Sequence, residues 1–257
     1  MNKTKIDWCD YSWNPVTGCL HGCEYCYARR IANRFGGNLL EWSKYVNKNG
    51  IYEIDMPVCD EISERIIPYP YRFEPTFHKY RLDEPTKKVK GVNIFVCSMA
   101  DLFGEWVPAE WIEAVFEACK KAPQHRYLFL TKNFKRASDF KFHDNWWIGK
   151  TITNNDNARF AEGDPWNIDG IHRANQFLSI EPIHGEISYL KYYLHSFKWV
   201  IVGAETGNRK GKVIPKKEWI MDIKEQCNNA KVPIFMKESL KELMGEDFIQ
   251  EFPWDKE

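Results

Sequence analysis

Short apolar runs recur along the chain, each followed by polar residues and then a helical pattern. The runs are "NIFVCS" at 93–98, "RYLFLTK" at 126–132, "WWIGKTIT" at 146–153, "QFLSIEP" at 176–182, "KWVIVGAET" at 198–206 and "VPIFMKE" at 232–238. They are rich in Ile, Val, Phe and Leu without strict alternation, the pattern of strands buried on both faces. Between them, "PAEWIEAVFEACKKAP" at 108–123 predicts a helix. Pro108 stands near its start, Lys120 and Lys121 fall in its last turn, and Trp111, Val115 and Ala118 share a face with Ile112 and Phe116 beside them. "PKKEWIMDIKEQCNNAKVP" at 215–233 repeats the design with Trp219, Ile220, Ile223 and Cys227. An earlier helix is predicted from about Glu24 to Phe35, with Tyr27, Ala28, Ile31, Ala32 and Phe35 as its apolar stripe and Gly36-Gly37 as its end. Strands alternating with helices argue for a parallel sheet. The expected fold is α/β: a partial or complete (β/α) TIM-like barrel spanning 1–257 as one domain. A doubly wound open sheet is the alternative.

Residues 36–90 break this rhythm. They are rich in Pro, Tyr and charge, and read as a partly extended insertion after the first helix, packing near one barrel mouth. A surface elaboration has the same composition.

Composition narrows the setting. With 44% hydrophobic residues among 257, a sizeable core can be built, and aromatic content is high at 15%, including eleven tryptophans. Formal net charge is zero, which argues against a globally basic nucleic-acid coat and leaves local patches to consider. No apolar run reaches membrane-spanning length, and the N-terminal "MNKTKIDWCDY" lacks the apolar core of a signal peptide. A cytoplasmic protein with no membrane partner is expected. Its eight cysteines then stay reduced. Cys9, Cys59, Cys97, Cys119 and Cys227 are scattered, and most of them read as small buried hydrophobes.

The other three are not scattered. In "NPVTGCLHGCEYCYARR", residues 14–30, Cys19, Cys23 and Cys26 follow a C-x3-C-x2-C spacing, with Tyr25 before the last and Gly22 where the chain must turn. Thiolates this dense bind a soft metal or an iron–sulfur cluster. A structural zinc site needs a fourth ligand; His21 or Cys9 could supply it, although no second ligand pair follows. Three ligands on a four-iron cube leave one iron open for a substrate or cofactor.

This motif resembles the signature of the radical S-adenosylmethionine (SAM) superfamily. The rest of the chain is similar to one branch of it, common in phages and bacteria, in "WNPVTGC", "SMADLF", "FLTK", "FLSIEP", "VIVGAETG" and "QCNNAKVPIFMK". The resemblance covers nearly the whole chain after residue 6. It implies a [4Fe-4S] cluster on Cys19, Cys23 and Cys26 at the C-terminal mouth of the barrel. Its open iron would chelate the amino and carboxylate groups of SAM. An external electron donor, such as flavodoxin or ferredoxin, would then drive cleavage to methionine and a 5′-deoxyadenosyl radical that abstracts a substrate hydrogen. Tyr25 lies within the motif. The superfamily often carries a "GGE"-like segment after the second strand for the SAM amino group. This chain has Ser98, Met99, Ala100 and Asp101 there, and Ser98 and Asp101 could substitute, with helix capping as the other use of Asp101.

Chemistry in such barrels sits where strands end. Thr151, Thr153 and Asn154 could hold ribose or the SAM carboxylate, or simply form a turn. Glu181, Glu205 and Lys237 each follow an apolar strand, where an unpaired charge in the core is costly. They are the candidate catalytic residues, with a structural ion pair as the alternative. "GNRKGKVIPKK" after the sixth strand carries Arg209, Lys210 and Lys212, then Lys216 and Lys217. These cations are candidates for a phosphate-bearing substrate, nucleic acid or nucleotide, and Tyr69, Tyr71, Phe73 and Phe77 for stacking on bases. A solvated loop and core packing are the plainer uses. Peptide or small-molecule modification is the second functional reading. A non-catalytic, zinc-stabilised nucleic-acid-binding protein is the reading from a different class.

Overall fold

The structure, a computed structural model, describes residues 1–37, 50–158 and 175–256. The chain groups into two compact units, Met1–Phe129 and Leu130–Glu257.

The first unit contains β1 (Asn2–Lys3), β2 (Tyr11–Trp13), β3 (Val16–Thr17), α1 (Tyr27–Arg34), β4 (Tyr52–Ile54), β5 (Thr76–His78), β6 (Asn93–Val96), α2 (Ala109–Lys120) and the start of β7 (Arg126–Thr131). Its main sheet runs β1-β2-β6-β7, parallel except where β1 meets β2. A second sheet, β3-β5-β4, takes two of its three strands from the 36–90 insertion. The insertion therefore carries ordered structure of its own; its residues 38–49 lie outside the described residues.

Local chemistry sets the helix limits. The Cys26 thiol accepts the Arg29 N–H at 3.4 Å and caps α1, which begins at Tyr27, later than the Glu24 that periodicity predicts. Pro108 precedes α2, and Trp111, Ile112, Val115, Phe116, Ala118 and Cys119 are its buried face. Phe116 meets Phe103 and Phe129 edge to face, at 6.3 and 5.4 Å between ring centres. Withdrawing each such side chain from water contributes about 1.5–3 kcal/mol before conformational entropy is subtracted.

The second unit holds four parallel strands in the order β8 (Trp146–Ile152), β9 (Asn175–Ile180), β10 (Trp199–Val202) and β11 (Ile234–Met236), with α3 at Lys217–Ala230. Their register stacks side chains in rows. Gly149, Phe177 and Trp199 align in one row, and Thr151, Ser179, Ile201 and Phe235 in the row two residues on. Because side chains alternate across a strand, both rows share a face. The first is aromatic, and a Cβ at Gly149 would fall 2.4 Å from the Phe177 ring, so glycine makes room for it. Trp199 is extended by Trp254 and Phe252, at 5.2 and 5.7 Å, and its Nε1–H donates to the Glu251 carbonyl.

The protein is thus a mixed α/β chain with mostly parallel strands, and the six expected strands and three expected helices are all present. No closed sheet is found among the described residues. Cys97, Cys119 and Cys227 are buried as expected, with burial pushing Cys97 and Cys227 up to about 12. Cys59 is exposed and Cys9 half-buried. Cys59 pairs with Ile66 through an isolated bridge that closes a turn whose residues, 59–66, are all exposed.

Candidate functional site

The candidate residues fall into one group in each unit. In the first unit the cysteine loop leaves β3 and feeds α1. Gly18, at φ +86°, sits where a Cβ would lie 2.2 Å from the Glu74 carbonyl oxygen, so only glycine fits. Its N–H donates to the Met99 carbonyl at 2.9 Å, fastening the loop to the segment that follows β6. Two side chains add to that fastening and a third ties α1 to the loop itself. Tyr27 donates its hydroxyl to the Ser98 carbonyl at 2.6 Å, His21 donates through Nε2 to Asp101 Oδ2 at 2.8 Å, and Arg29 donates to the Cys19 carbonyl at 3.3 Å. The Arg29 guanidinium also lies over the Phe73 ring at 5.0 Å.

All three thiols of the loop are half-buried, as is Tyr25. Cys19 and Cys26 pack against a small core of Ala28, Ala32, Phe73 and Met99. Burial pushes the Cys19 thiol up to about 12; the His21 backbone N–H, bonded to its sulfur, opposes this, while Asp101, Cys26 and Cys23 add to the rise. Among the described residues no group of three or more His, Cys, Asp or Glu is gathered as a metal-holding set. The donor chemistry nonetheless fits a thiophilic metal or cluster: three thiols on one short loop, two of them accepting backbone N–H groups. Charge repulsion among these thiols is what a bound cation offsets, releasing their protons.

Ser98 and Asp101 lie beside this loop but are engaged within the protein. Ser98 Oγ and the Met99 N–H both donate to Asn14 Oδ1, at 3.2 and 2.9 Å. Asp101, only 5% exposed, takes the Phe103 N–H on one oxygen and His21 on the other.

In the second unit Glu181 and Lys237 stand one residue beyond the last aligned row, Ile152, Ile180, Val202 and Met236, and Glu205 stands three beyond it. Backbone bonding continues the ladder there, Gly203 N–H to Ile180 and Lys237 N–H to Val202. Lys237 and Glu181 form an ion pair. Glu205, 4% exposed, receives Arg209 on both oxygens, Nε to Oε1 at 2.7 Å and Nη2 to Oε2 at 2.9 Å. That guanidinium, with lesser help from His184 at 3.5 Å, holds the Glu205 carboxyl below the ordinary carboxylate range. His184 also donates its backbone N–H to the Thr153 carbonyl at 2.7 Å. Thr153 is buried, Thr151 and Asn154 are half-buried, and Asn154 Oδ1 accepts the Asp156 N–H at 3.1 Å at the start of a short helical turn.

The family model described as "Protein of unknown function (DUF5131)" matches residues 3–244. The chain belongs to this family. No curated protein and no solved structure matches it. The DUF5131 match takes in both groups, from the cysteine loop to Lys237.

Within this DUF5131 chain the structure refines several expectations. Arg29 braces the cysteine loop through the Cys19 carbonyl. Arg209 is turned onto Glu205 and the Gly211 carbonyl, Lys217 onto Asp247, and Lys216 over the Trp219 ring. Lys210 is exposed, and Lys212 donates to the Gly207 carbonyl at 3.4 Å. Phe73 and Phe77 are buried, and Tyr71 stacks on Tyr52 at 3.9 Å. Asn14 and His184 escaped notice in the sequence. Their signals were their places, in the "WNPVTGC" run before the cysteines and three residues after Glu181.

Proposed function

We propose that this protein is a radical SAM enzyme: a cytoplasmic, single-domain partial (β/α) barrel in which Cys19, Cys23 and Cys26 hold a [4Fe-4S] cluster. The observation that carries the reading is the C-x3-C-x2-C loop, with thiols that accept backbone N–H groups and a backbone fastened to the segment after β6. When bound, the cluster supplies an open iron to chelate SAM and, with an electron from flavodoxin or ferredoxin, the reductive cleavage that yields the 5′-deoxyadenosyl radical. The chain's own residues bind and orient. Tyr25, Ser98, Thr151, Thr153 and Asn154 are the candidates for holding SAM through hydroxyl and amide groups. Glu181, Glu205 and Lys237 are the candidates for substrate contact, and an ion pair fixes the direction in which each points. The proposed substrate is nucleic acid or a nucleotide, met through the cations after β10. The 36–90 insertion packs near the barrel mouth.

Anaerobic purification tests the reading. Wild type should carry iron and sulfide and, with dithionite, convert SAM to 5′-deoxyadenosine detectable by chromatography. Cys23→Ala should lose both, whereas Cys119→Ala and Cys227→Ala, at buried sites, should cost stability only. Colourless wild type holding one zinc would replace the enzyme by a zinc-stabilised binder.

A further inference from the structure

We infer that His21 and Asp101 form a positioning pair that holds the cysteine loop in the shape from which its thiols bind metal. This rests on the reading of Cys19, Cys23 and Cys26 as ligands, though not on which metal they take.

His21 lies between two of the thiols, and its backbone N–H is bonded to the Cys19 sulfur. The position of that N–H follows the position of the residue, and the side chain is held from two directions. Asp101 Oδ2 receives Nε2 at 2.8 Å. Asp101 is itself fixed, being buried and accepting the Phe103 N–H through its other oxygen. The Trp106 ring meets the imidazole edge to face at 4.9 Å, and it can do so because it lies on Gly104, where a Cβ would fall 2.3 Å from the ring. Gly22, at φ +70° with open space around it, gives the loop no rigidity of its own between His21 and Cys23. The rigidity is therefore imported from a segment 80 residues away in sequence. Partners of this kind orient ligands to metals, and their loss weakens metal binding by roughly 10–100-fold. Asp101 is then a support for the cysteine loop, a different use from the SAM contact expected of it.

The test is a Co(II) titration of the reduced full-length chain, followed by thiolate-to-cobalt absorption, with melting of the metal-free proteins measured alongside. Asp101→Ala and His21→Phe should each raise the Co(II) Kd by about 10–100-fold. Asp101→Asn should recover most of it. Its amide oxygen can keep Phe103 while its NH2 donates to Nε2 of the other histidine tautomer. A merely structural role would lower metal-free melting and leave the Kd of the folded protein unchanged. If Asp101→Ala fails to fold, the exposed His21→Phe change decides. Variants that bind Co(II) within threefold of wild type overturn the inference alone, and so does Asp101→Asn binding as weakly as Asp101→Ala, which would make charge and not placement the cause. A wild type that takes up neither Co(II) nor iron removes the ligand reading, and the inference with it.

Discussion

Lys237 reaches Glu181 across Gly203. The two charged residues directly follow β11 and β9, and Gly203, which directly follows the middle strand β10, offers no side chain between them. A Cβ on Gly203 would stand 2.8 Å from Lys237 Cδ and 3.4 Å from Glu181 Cγ. The glycine is thus explained by what passes over it. The pair is partly exposed, so its own Coulombic worth is modest, but its geometry fixes where both charges point.

Gly203→Ala should therefore displace the Lys237 stem and cost about 1–3 kcal/mol by overpacking. In a Lys237→Ala background the obstructing atoms are gone, and the same change should cost far less. Urea unfolding of the four proteins of this cycle gives the coupling. Equal costs of Gly203→Ala in both backgrounds would show that something other than the crossing side chain requires glycine.

His78 gives a pH-dependent prediction. It is fully buried on β5, bonded through Nε2 to Thr17 Oγ1 at 2.9 Å, and burial lowers its pKa to about 2, with Arg81 contributing. The unfolded chain takes up this proton below 6.5 and the folded chain refuses it. Stability therefore falls as pH drops below 6.5, by about 1.4 kcal/mol per pH unit from this residue. Unfolding by urea at pH 7, 6 and 5 should show wild type losing stability more steeply than His78→Gln. Parallel losses in the two proteins would mean that His78 is protonated in the fold.

The main strands were legible because parallel strands buried on both faces are written as unbroken apolar runs, as in "WVIV" of β10, which is buried throughout. The strands β4 and β5 were not. Each is three residues long, too short for any period to show, and each is made by pairing with a partner distant in sequence. The cysteine loop was legible through the density of one residue type. Its supports were not, since nothing local in "SMADLF" says that Asp101 will meet His21. The Glu205–Arg209 pair shows a further limit. Four residues apart, they would be neighbours on a helix, but they meet on a loop turned back through Gly207 and Gly211, both at positive φ. Spacing alone gave no reason to choose that pairing over a free basic loop.

That pairing changes how the loop should meet a phosphate-bearing substrate. Arg209 is committed to a buried carboxylate by two hydrogen bonds, and it also donates to the Gly211 carbonyl at 3.1 Å. Its charge is cancelled where it stands, and pulling it away would leave Glu205 buried without its main partner. Breaking such a pair by removing one member costs about 3–5 kcal/mol when both are buried, and less here because Arg209 is partly exposed. Arg209→Ala should consequently lower stability, with the Glu205→Gln, Arg209→Ala double change recovering part of the loss. The phosphate contacts proposed for this loop then fall to Lys210 and Lys212. Each phosphate neutralised contributes about 0.9 to the slope of log K against log salt on duplex and about 0.7 on single strands. Lys210→Ala with Lys212→Ala should flatten that slope by about two contacts, roughly 1.8 on duplex, and leave the proposed SAM cleavage unchanged. Adding Arg209→Ala to the pair should flatten it no further. Titration of short single- and double-stranded oligonucleotides at two salt concentrations reads all of these. A triple variant flatter than the double would return Arg209 to the interface. A wild type with no salt-dependent binding would make the loop a solvated surface and move the substrate to a peptide or an uncharged small molecule.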